Sequence, residues 1–186
     1  MIRRSKKFFK ELAKLILILL ISNLAFHISR FMAMPFMAIY FSQKLDLTPA
    51  EVGVLLGISP LSSLKFSVPG GRLGDKIGVY KMYPLAMITP AISLIGVVLS
   101  GNVWVIGFFE ITAGVGWTLF NSSSNAILSL HTPEHQTEKV FSYNYWVVNL
   151  SGVLGPLIGA TVASAGSSGL PIILFAAILH NASYME

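Results

Sequence analysis

The sequence predicts an all-α membrane protein whose helices cross a lipid bilayer several times. Of its 186 residues, 54% are hydrophobic and only 11% are charged, whereas soluble domains carry about 25% charged residues. Such a chain has too few charges to cover a surface that faces water. A helix that crosses a hydrocarbon core of about 30 Å needs about 20 residues. Five segments qualify: residues 15–41, 49–69, 82–100, 103–129 and 140–164.

A sixth apolar run begins at Leu170 and turns polar at His180. About eleven apolar residues are too few to span a bilayer, so residues 170–180 are predicted to form an incomplete sixth helix. The expected organisation is therefore a basic cytoplasmic segment at residues 1–14, followed by a transmembrane bundle at residues 15–186.

The cations of the chain are concentrated beside the predicted spans. Six of them precede the first span: Arg3, Arg4, Lys6, Lys7, Lys10 and Lys14. Clusters of this kind mark the cytoplasmic side of a membrane, which places the N-terminus inside and makes the lipid bilayer the expected partner, with no role for nucleic acid. Two alternatives are a polyanion-binding tail and a secretory signal peptide. Against the signal peptide, the apolar character continues past residue 40 without a cleavage pattern.

The second predicted helix has a recognisable start. Thr48 precedes Pro49, and Glu51 follows three residues after the threonine. A threonine N-cap, a proline in the first turn and a glutamate at the third position form a capping box. The sequence therefore predicts that this helix begins next to Thr48.

A glycine-rich, charged segment separates the second and third predicted spans. Residues 70–81 read GGRLGDKIGVYK, with Gly70, Gly74 and Gly78 at intervals of four. Glycines permit tight turns and close contact between backbones, so the segment is predicted to be a cytoplasmic loop. Asp75 lies among several cations, which predicts an ionised and paired carboxylate. The alternative is a plain turn that only follows the cytoplasmic bias of basic residues.

This segment resembles the signature loop of the major facilitator superfamily. The residues that carry the resemblance are Gly71, Leu73, Asp75, Lys76, Gly78 and Lys81. Val79 and Tyr80 replace the usual basic pair of the family. The resemblance implies that the loop acts as a conformational latch, in which the aspartate engages a helix of the opposite half and holds the outward-open state.

A second motif lies in the fifth predicted span. Gly152, Gly155, Pro156 and Gly159 resemble the glycine–proline motif of the family's drug/proton antiporters. Small residues allow neighbouring helices to approach closely, and a proline inside a helix removes a backbone hydrogen bond and bends it. We interpret these four residues as a helix-packing motif.

The resemblance implies a particular fold and activity. The fold is the six-helix N-terminal bundle of the major facilitator fold, built from two inverted three-helix repeats, with the sixth helix truncated. The activity is secondary active transport of a small molecule in the cell membrane by alternating access, of an efflux or antiport type that uses protons. The chain would be a half-length fragment that needs the missing C-terminal half or a second copy. The alternatives are a sugar or metabolite uptake carrier of the same family and a non-transporting membrane protein with an assembly or regulatory role.

Two ionisable residues lie deep inside predicted spans, Arg30 in the first and Glu110 in the fourth. Charges at such depth are costly and usually face a cavity or a partner. At a helical rise of about 1.5 Å per residue, the two reach similar heights in the membrane. We expect an Arg30–Glu110 pair in the outer half of a central cavity, either purely structural or coupled to substrate or protons.

Polar side chains extend this pattern along three of the helices. Asn23, His27 and Arg30 are spaced by four and three residues, which places them on one helical face. His27 is either a titrating group near neutral pH or a packing residue. Proton-coupled members of the family often carry an arginine at the position of Glu110. The candidate cavity, substrate or coupling residues are Asn23, His27, Arg30, Glu110, Asn121 and Asn149.

Other chemistries find no support in the sequence. The chain has no phosphate-binding loop of the Gly-Lys-Ser/Thr kind and no cysteine, which excludes disulfides and thiolate metal sites. His131 and His135 have a metal-like spacing, but Pro133 between them disfavours a regular helix. We therefore expect no metal, no cofactor and no enzymatic activity.

Overall fold

The computed structural model describes the backbone of residues 2–164 and the side chains of residues 14–161. No β-strand occurs in that range. The elements are the helices α1 (Ile2–Lys44), α2 (Pro49–Ile77), α3 (Val79–Leu99), α4 (Val103–His131) and α5 (Thr137–Ser164), with a short 3₁₀ helix at Glu134–Gln136. The predicted sixth helix at residues 170–180 lies outside the described residues.

Four helical stretches within the described residues are long and apolar enough to cross a membrane. They are Lys14–Lys44 of α1 and the whole of α2, α3 and α4, with mean hydropathies between 1.3 and 1.9. The fifth predicted span falls within α5, a helix of 28 residues, which is not one of these four stretches of the described residues. The all-helical architecture agrees with the fold class that the composition predicts, and it indicates a multi-pass membrane protein.

Helix α1 begins much earlier than the sequence predicted. It starts at Ile2 rather than near residue 15, and it runs for 43 residues. Residues 2–14 contain no glycine and no proline, and their lysines, leucine, alanine and glutamate all favour helix. The basic N-terminal segment is therefore a continuous extension of the first membrane helix.

The start of α2 is as predicted. Thr48 is the N-cap, and its side chain accepts a hydrogen bond from the Glu51 backbone N–H at 3.4 Å. In return, Glu51 Oε2 accepts from the Thr48 backbone N–H at 2.8 Å. Pro49 occupies the first turn. These bonds satisfy amide groups that a helix start leaves without partners, and they confirm the predicted capping box.

The end of α2 differs from the prediction, since the helix continues through most of the glycine-rich segment to Ile77. Only Gly78 leaves the helical conformation, with a φ of 90°. Each glycine costs a helix about 1 kcal/mol relative to alanine, but two of them fit against neighbouring side chains. A Cβ on Gly70 would lie 3.0 Å from Leu119 Cδ2, and one on Gly74 would lie 2.7 Å from Met82 Cε. The glycines thus permit close packing along a helix, and the turn itself is a single residue.

Helix α4 has a central place in the bundle. It packs along both α2 and α3, while α1 packs mainly along α5. Direct contacts between α1 and α2, and between α2 and α3, are few. The helices adjacent in sequence are therefore not the main packing partners, except for α3 and α4.

Two hydrophobic clusters lie at opposite ends of the bundle. The first includes Leu19 and Phe26 of α1 with Phe120 and Leu128 of α4. The second includes Phe41 of α1, the start of α2 and α4, and the end of α3, through Val52, Leu55, Ile106 and Val97. Along α1 and α4, the stretch between these clusters carries three of the polar residues that the sequence singled out, His27, Arg30 and Glu110.

Candidate functional site

Arg30 of α1 lies where three helices meet. One of its guanidinium N–H groups donates to Ser59 Oγ of α2 at 3.3 Å. The guanidinium carbon also lies 4.6 Å from the centre of the Trp117 ring of α4. A cation over an indole ring gains about 0.5–2 kcal/mol, with the larger values in sites shielded from water. The arginine is thus fixed by one hydrogen bond and one aromatic face.

Glu110 of α4 is only 6% exposed. It attracts Arg30 electrostatically, but no hydrogen bond or direct ion pair joins the two among the described side chains. The guanidinium is instead held by Ser59 and Trp117. The expected direct pair is therefore replaced by an attraction at longer range, which leaves the carboxylate without a fixed partner.

Two glycines of α4 explain how the helices come so close at this point. A Cβ on Gly114 would collide with the Ser59 carbonyl oxygen and would lie 2.9 Å from Ser62 Cβ, both on α2. A Cβ on Gly116 would lie 2.8 Å from Thr89 Cβ on the opposite neighbour, α3. Because Gly114 lets α2 approach, Ser59 comes within hydrogen-bonding distance of Arg30.

His27 is enclosed by aromatic rings and is 2% exposed. The centre of its ring lies 5.0 Å from that of Trp117 and 6.0 Å from that of Phe120, both in edge-to-face geometry. Its Nδ1 atom has no hydrogen-bond partner in the described structure. The histidine belongs to the packed interior between α1 and α4, so it does not line an open path in this conformation.

Asn23 forms a buried hydrogen-bond network that joins four helices. Its amide nitrogen donates to Asn144 Oδ1 of α5 at 2.7 Å. Its carbonyl oxygen accepts from Ser124 Oγ of α4 at 2.9 Å and from the Tyr83 hydroxyl of α3 at 3.4 Å. Asn23 is 1% exposed, so the structure places it among other helices and away from open space. Sequence reasoning did not single out Ser124 and Tyr83, since serine and tyrosine alone do not reveal a partner on another helix.

Asn121 lies on an open cleft between α2 and α4, with a volume of about 270 Å³. Its amide nitrogen donates to the Trp117 backbone carbonyl at 2.8 Å, which leaves its side-chain oxygen available. Asn149 lies apart from this cleft, on an exposed part of α5, where it donates to the Tyr145 carbonyl at 2.7 Å. The structure therefore places Asn121 on this cleft, Arg30 and Glu110 outside its lining, and Asn149 apart from all three.

The residues of the signature segment lie on the last turns of α2 and the first turn of α3. Asp75, Lys76 and Lys81 are exposed, and Asp75 makes no ion pair with any described side chain. The expected pairing of Asp75 with a nearby cation is therefore wrong for this conformation. At the position of the replaced basic pair, the Tyr80 hydroxyl lies 3.1 Å from His131 Nε2 at the end of α4. Leu73 is exposed and Gly71 is half-buried, with open space around the glycine.

The glycine–proline motif of α5 divides into two faces. A Cβ on Gly155 would lie 2.7 Å from Phe31 Cβ and 3.0 Å from the Ile28 carbonyl oxygen of α1. A Cβ on Gly159 would lie 2.6 Å from Phe36 Cε2 of α1, whereas a Cβ on Gly152 would have nothing within 4 Å. Pro156 lies inside α5. Gly155 and Gly159 thus form the contact with α1, and Gly152 does not take part in it.

A search for similar proteins places these features in a known family. The family model described as Major Facilitator Superfamily matches residues 19–182. The uncharacterised MFS-type transporter YqjV of Bacillus subtilis is 30% identical over 139 residues, which is 74% of this chain and 33% of YqjV.

Two further relatives carry functional names. Multidrug resistance protein MdtH of Klebsiella pneumoniae is 26% identical over 175 residues, which is 90% of this chain and 42% of MdtH. A Na(+), Li(+), K(+)/H(+) antiporter of Planococcus maritimus is 28% identical over 148 residues, which is 77% of this chain and 34% of the antiporter. The chain spans between a third and about two fifths of the length of these curated relatives.

Proposed function

Because the chain belongs to the major facilitator superfamily, we propose that it forms the N-terminal half of a secondary transporter that moves small molecules by alternating access. The observation that supports this best is the cluster of Arg30, Ser59, Trp117 and Glu110. It lies between two apolar clusters, on helices of membrane length. Charged side chains at membrane depth are expensive and typically mark substrate or ion pathways.

We further propose that transport needs a second bundle. In carriers of this architecture, two halves move against each other around a site at their interface. The chain spans 33–42% of the relatives described above, so a C-terminal half or a second copy of the chain would supply the other side of that site. The exposed Asp75 is then the group that engages the second bundle as a latch.

We propose that the transporter works by proton-driven efflux. The relatives named multidrug resistance protein and cation/proton antiporter support it, as does the glycine–proline motif of α5. Glu110 is the proposed proton carrier, because its carboxylate is buried and is attracted by Arg30 without forming a direct ion pair with it. The substrate would be a drug-like amphiphile in the cell membrane, with the N-terminus of the chain in the cytoplasm. Uptake of a sugar or metabolite is the alternative within the family.

Everted membrane vesicles test this proposal. They would contain the chain either alone or with the C-terminal half of the Klebsiella MdtH, and copurification would verify that the halves assemble. We expect vesicles that contain the assembled pair to accumulate a fluorescent amphiphilic dye when a proton gradient is imposed. Accumulation should stop when the gradient is collapsed. Absence of accumulation in both preparations would contradict transport and would favour a non-transporting membrane protein.

Substitution of Glu110 tests the proposed coupling group. We expect Glu110→Gln to abolish the dependence of dye accumulation on the proton gradient, because the amide cannot carry a proton. The matched control is Glu134→Gln, which changes an exposed carboxylate in the 3₁₀ helix and should leave the gradient dependence intact. An unchanged gradient dependence in Glu110→Gln would remove the carboxylate from the coupling mechanism.

A further inference from the structure

The open cleft between α2 and α4 has an unusual chemical character for a surface within membrane helices. Its lining consists of hydroxyl, amide, indole and leucine side chains: Ser63, Leu64, Ser67, Trp117, Thr118, Asn121 and Ser122. No charged side chain is among these seven residues. The volume of about 270 Å³ is the space of about nine water molecules, at about 30 Å³ each. It is close to the lower end of the range of about 300–1,000 Å³ that is typical of ligand pockets.

The hydroxyl groups of three lining residues already use their protons in hydrogen bonds to other groups of the protein. Ser63 Oγ and Thr118 Oγ1 lie 2.6 Å apart and share a hydrogen bond, and the Thr118 hydroxyl also lies 3.0 Å from the Ser63 carbonyl oxygen. The Ser67 hydroxyl donates to the Leu64 carbonyl at 2.8 Å. A hydroxyl has one proton and two lone pairs. These three groups therefore offer acceptor lone pairs to a ligand.

Asn121 adds a further acceptor. One of its amide N–H groups is used on the Trp117 carbonyl, and its side-chain oxygen has no hydrogen bond from a described residue. The remaining donors are its second N–H, the Ser122 hydroxyl and the indole N–H of Trp117. The cleft thus offers more acceptors than donors, which favours a ligand with O–H or N–H groups.

The lining of the cleft offers no counter-charge to an ionic ligand. Arg30 lies over the ring of Trp117, and the same tryptophan lines the cleft. The guanidinium itself is not one of the lining groups, and none of the seven lining side chains carries a charge that would neutralise a cationic or an anionic ligand. Glu110 is on the same helix as Trp117 but does not line the cleft.

We propose that this cleft binds an uncharged ligand, or the uncharged end of a larger one, through hydroxyl or amide donors. The polar edge of the ligand donates to Ser67, Thr118 and Asn121, and its apolar face lies on Trp117 and Leu64. This inference rests on the proposed transport function, since it assigns the cleft to the substrate path and specifies the neutral, hydrogen-bonding chemistry of the substrate.

Tryptophan fluorescence tests the inference without any measurement of transport. The chain has three tryptophans, and Trp104 and Trp146 are 88% and 71% exposed, so Trp104→Phe with Trp146→Phe leaves Trp117 as the reporter. The protein would be reconstituted in lipid nanodiscs and titrated with three aromatic probes. They are neutral phenyl glucoside, cationic benzyltrimethylammonium and anionic benzenesulfonate. We expect a saturable change of Trp117 emission with phenyl glucoside and none with the two ions.

Variants of the cleft locate the binding. Ser67→Ala and Asn121→Ala should each weaken phenyl glucoside binding about three- to tenfold, the usual consequence of one lost hydrogen bond. The matched control is Ser142→Ala, because Ser142 is also exposed and donates to a carbonyl of its own helix at 2.8 Å. It should bind like the parent.

Three results would overturn the inference: no saturable binding of the glucoside, equal or tighter binding of either ion, or unchanged affinity in both cleft variants. The binding test and the transport test can fail independently of each other. Vesicles that do not transport, together with a chain that binds the glucoside, would refute the proposed function and leave the site standing. Transport with no selective binding would refute only the site.

Discussion

Arg30 shows how a charge is kept within this bundle. Insertion scales assign about 2.5–3.5 kcal/mol to an arginine at the centre of a membrane helix. The hydrogen bond to Ser59, the face of Trp117 and the attraction of Glu110 offset part of that cost. None of the three is a direct ion pair. Among the described side chains, the Glu110 carboxylate acts on Arg30 only through this longer-range attraction.

At the same scale, Asn23 illustrates a residue whose role is decided by its partners. The sequence predicts a cavity residue, because an asparagine follows the polar face of the first helix. In the structure, both ends of its amide are used on other helices. The hydrogen bonds favour a stabilising role in this conformation.

Substitution of Asn23 distinguishes these roles. We expect Asn23→Ala to lower the free energy of unfolding by about 1–3 kcal/mol, because it leaves buried groups on Asn144, Ser124 and Tyr83 without partners. The measurement is thermal unfolding of the purified chain in detergent. The control is Asn125→Ala, because Asn125 is exposed and its hydrogen bond from the Asn144 amide is long, at 3.5 Å. We expect this substitution to change the free energy of unfolding by no more than about 0.5 kcal/mol. An unaltered midpoint for Asn23→Ala would instead favour a substrate role.

At the scale of elements, the glycines determine which helices touch. Gly114 brings α4 against α2, Gly116 brings α4 against α3, and Gly155 and Gly159 bring α5 against α1. Small residues have this role in membrane helices because packing between backbones, rather than exclusion of water, drives their association. The approach at Gly114 lies beside Ser59, which accepts the hydrogen bond from Arg30.

The two faces of the α5 motif can be separated by alanine substitution. Gly155→Ala should destabilise the chain by about 1–2 kcal/mol, since the new methyl group would press on the α1 backbone and overpacking outweighs the gain in helix propensity. Gly152→Ala should be neutral or stabilising by up to about 1 kcal/mol, because nothing lies within 4 Å of its Cβ position. Thermal unfolding measures both, and equal effects would show that α5 does not pack on α1 through Gly155.

At the scale of the whole molecule, α1 and α4 each pack on a helix from the other half of the bundle. If α1–α3 and α4 onward are the two repeats, the first helix of each repeat packs on the second helix of the other, as α1 with α5 and α4 with α2. This exchange supports the proposed six-helix bundle of inverted repeats.

The orientation of the bundle is testable by labelling, and the absence of native cysteine makes single-cysteine variants clean. We expect a membrane-impermeant maleimide to modify Lys44→Cys on intact cells and to leave Lys76→Cys unmodified until the cells are opened. Both lysines are exposed, so the difference reports the side of the membrane. Labelling of Lys76→Cys from outside would reverse the proposed topology and remove the cytoplasmic latch.

The sequence by itself determined the class of protein, the family and the approximate extent of the helices, but not where α1 begins or where α2 ends. Apolar length, clustered cations and the capping residues around Thr48 are local properties, and each is visible in a short window of residues. The similar membrane depth of Arg30 and Glu110 is a prediction that rests on a simple count along a helix.

Only the tertiary structure decided which faces meet. A glycine signals either a turn or a close approach, so the sequence alone did not reveal that α2 continues to Ile77 or that Gly152 differs from Gly155. The enclosure of His27, the network of Asn23 and the cleft beside Asn121 depend on residues that lie far apart in the chain. Helical periodicity defines a polar face, but the neighbours that pack against that face determine whether it is buried, bonded or open.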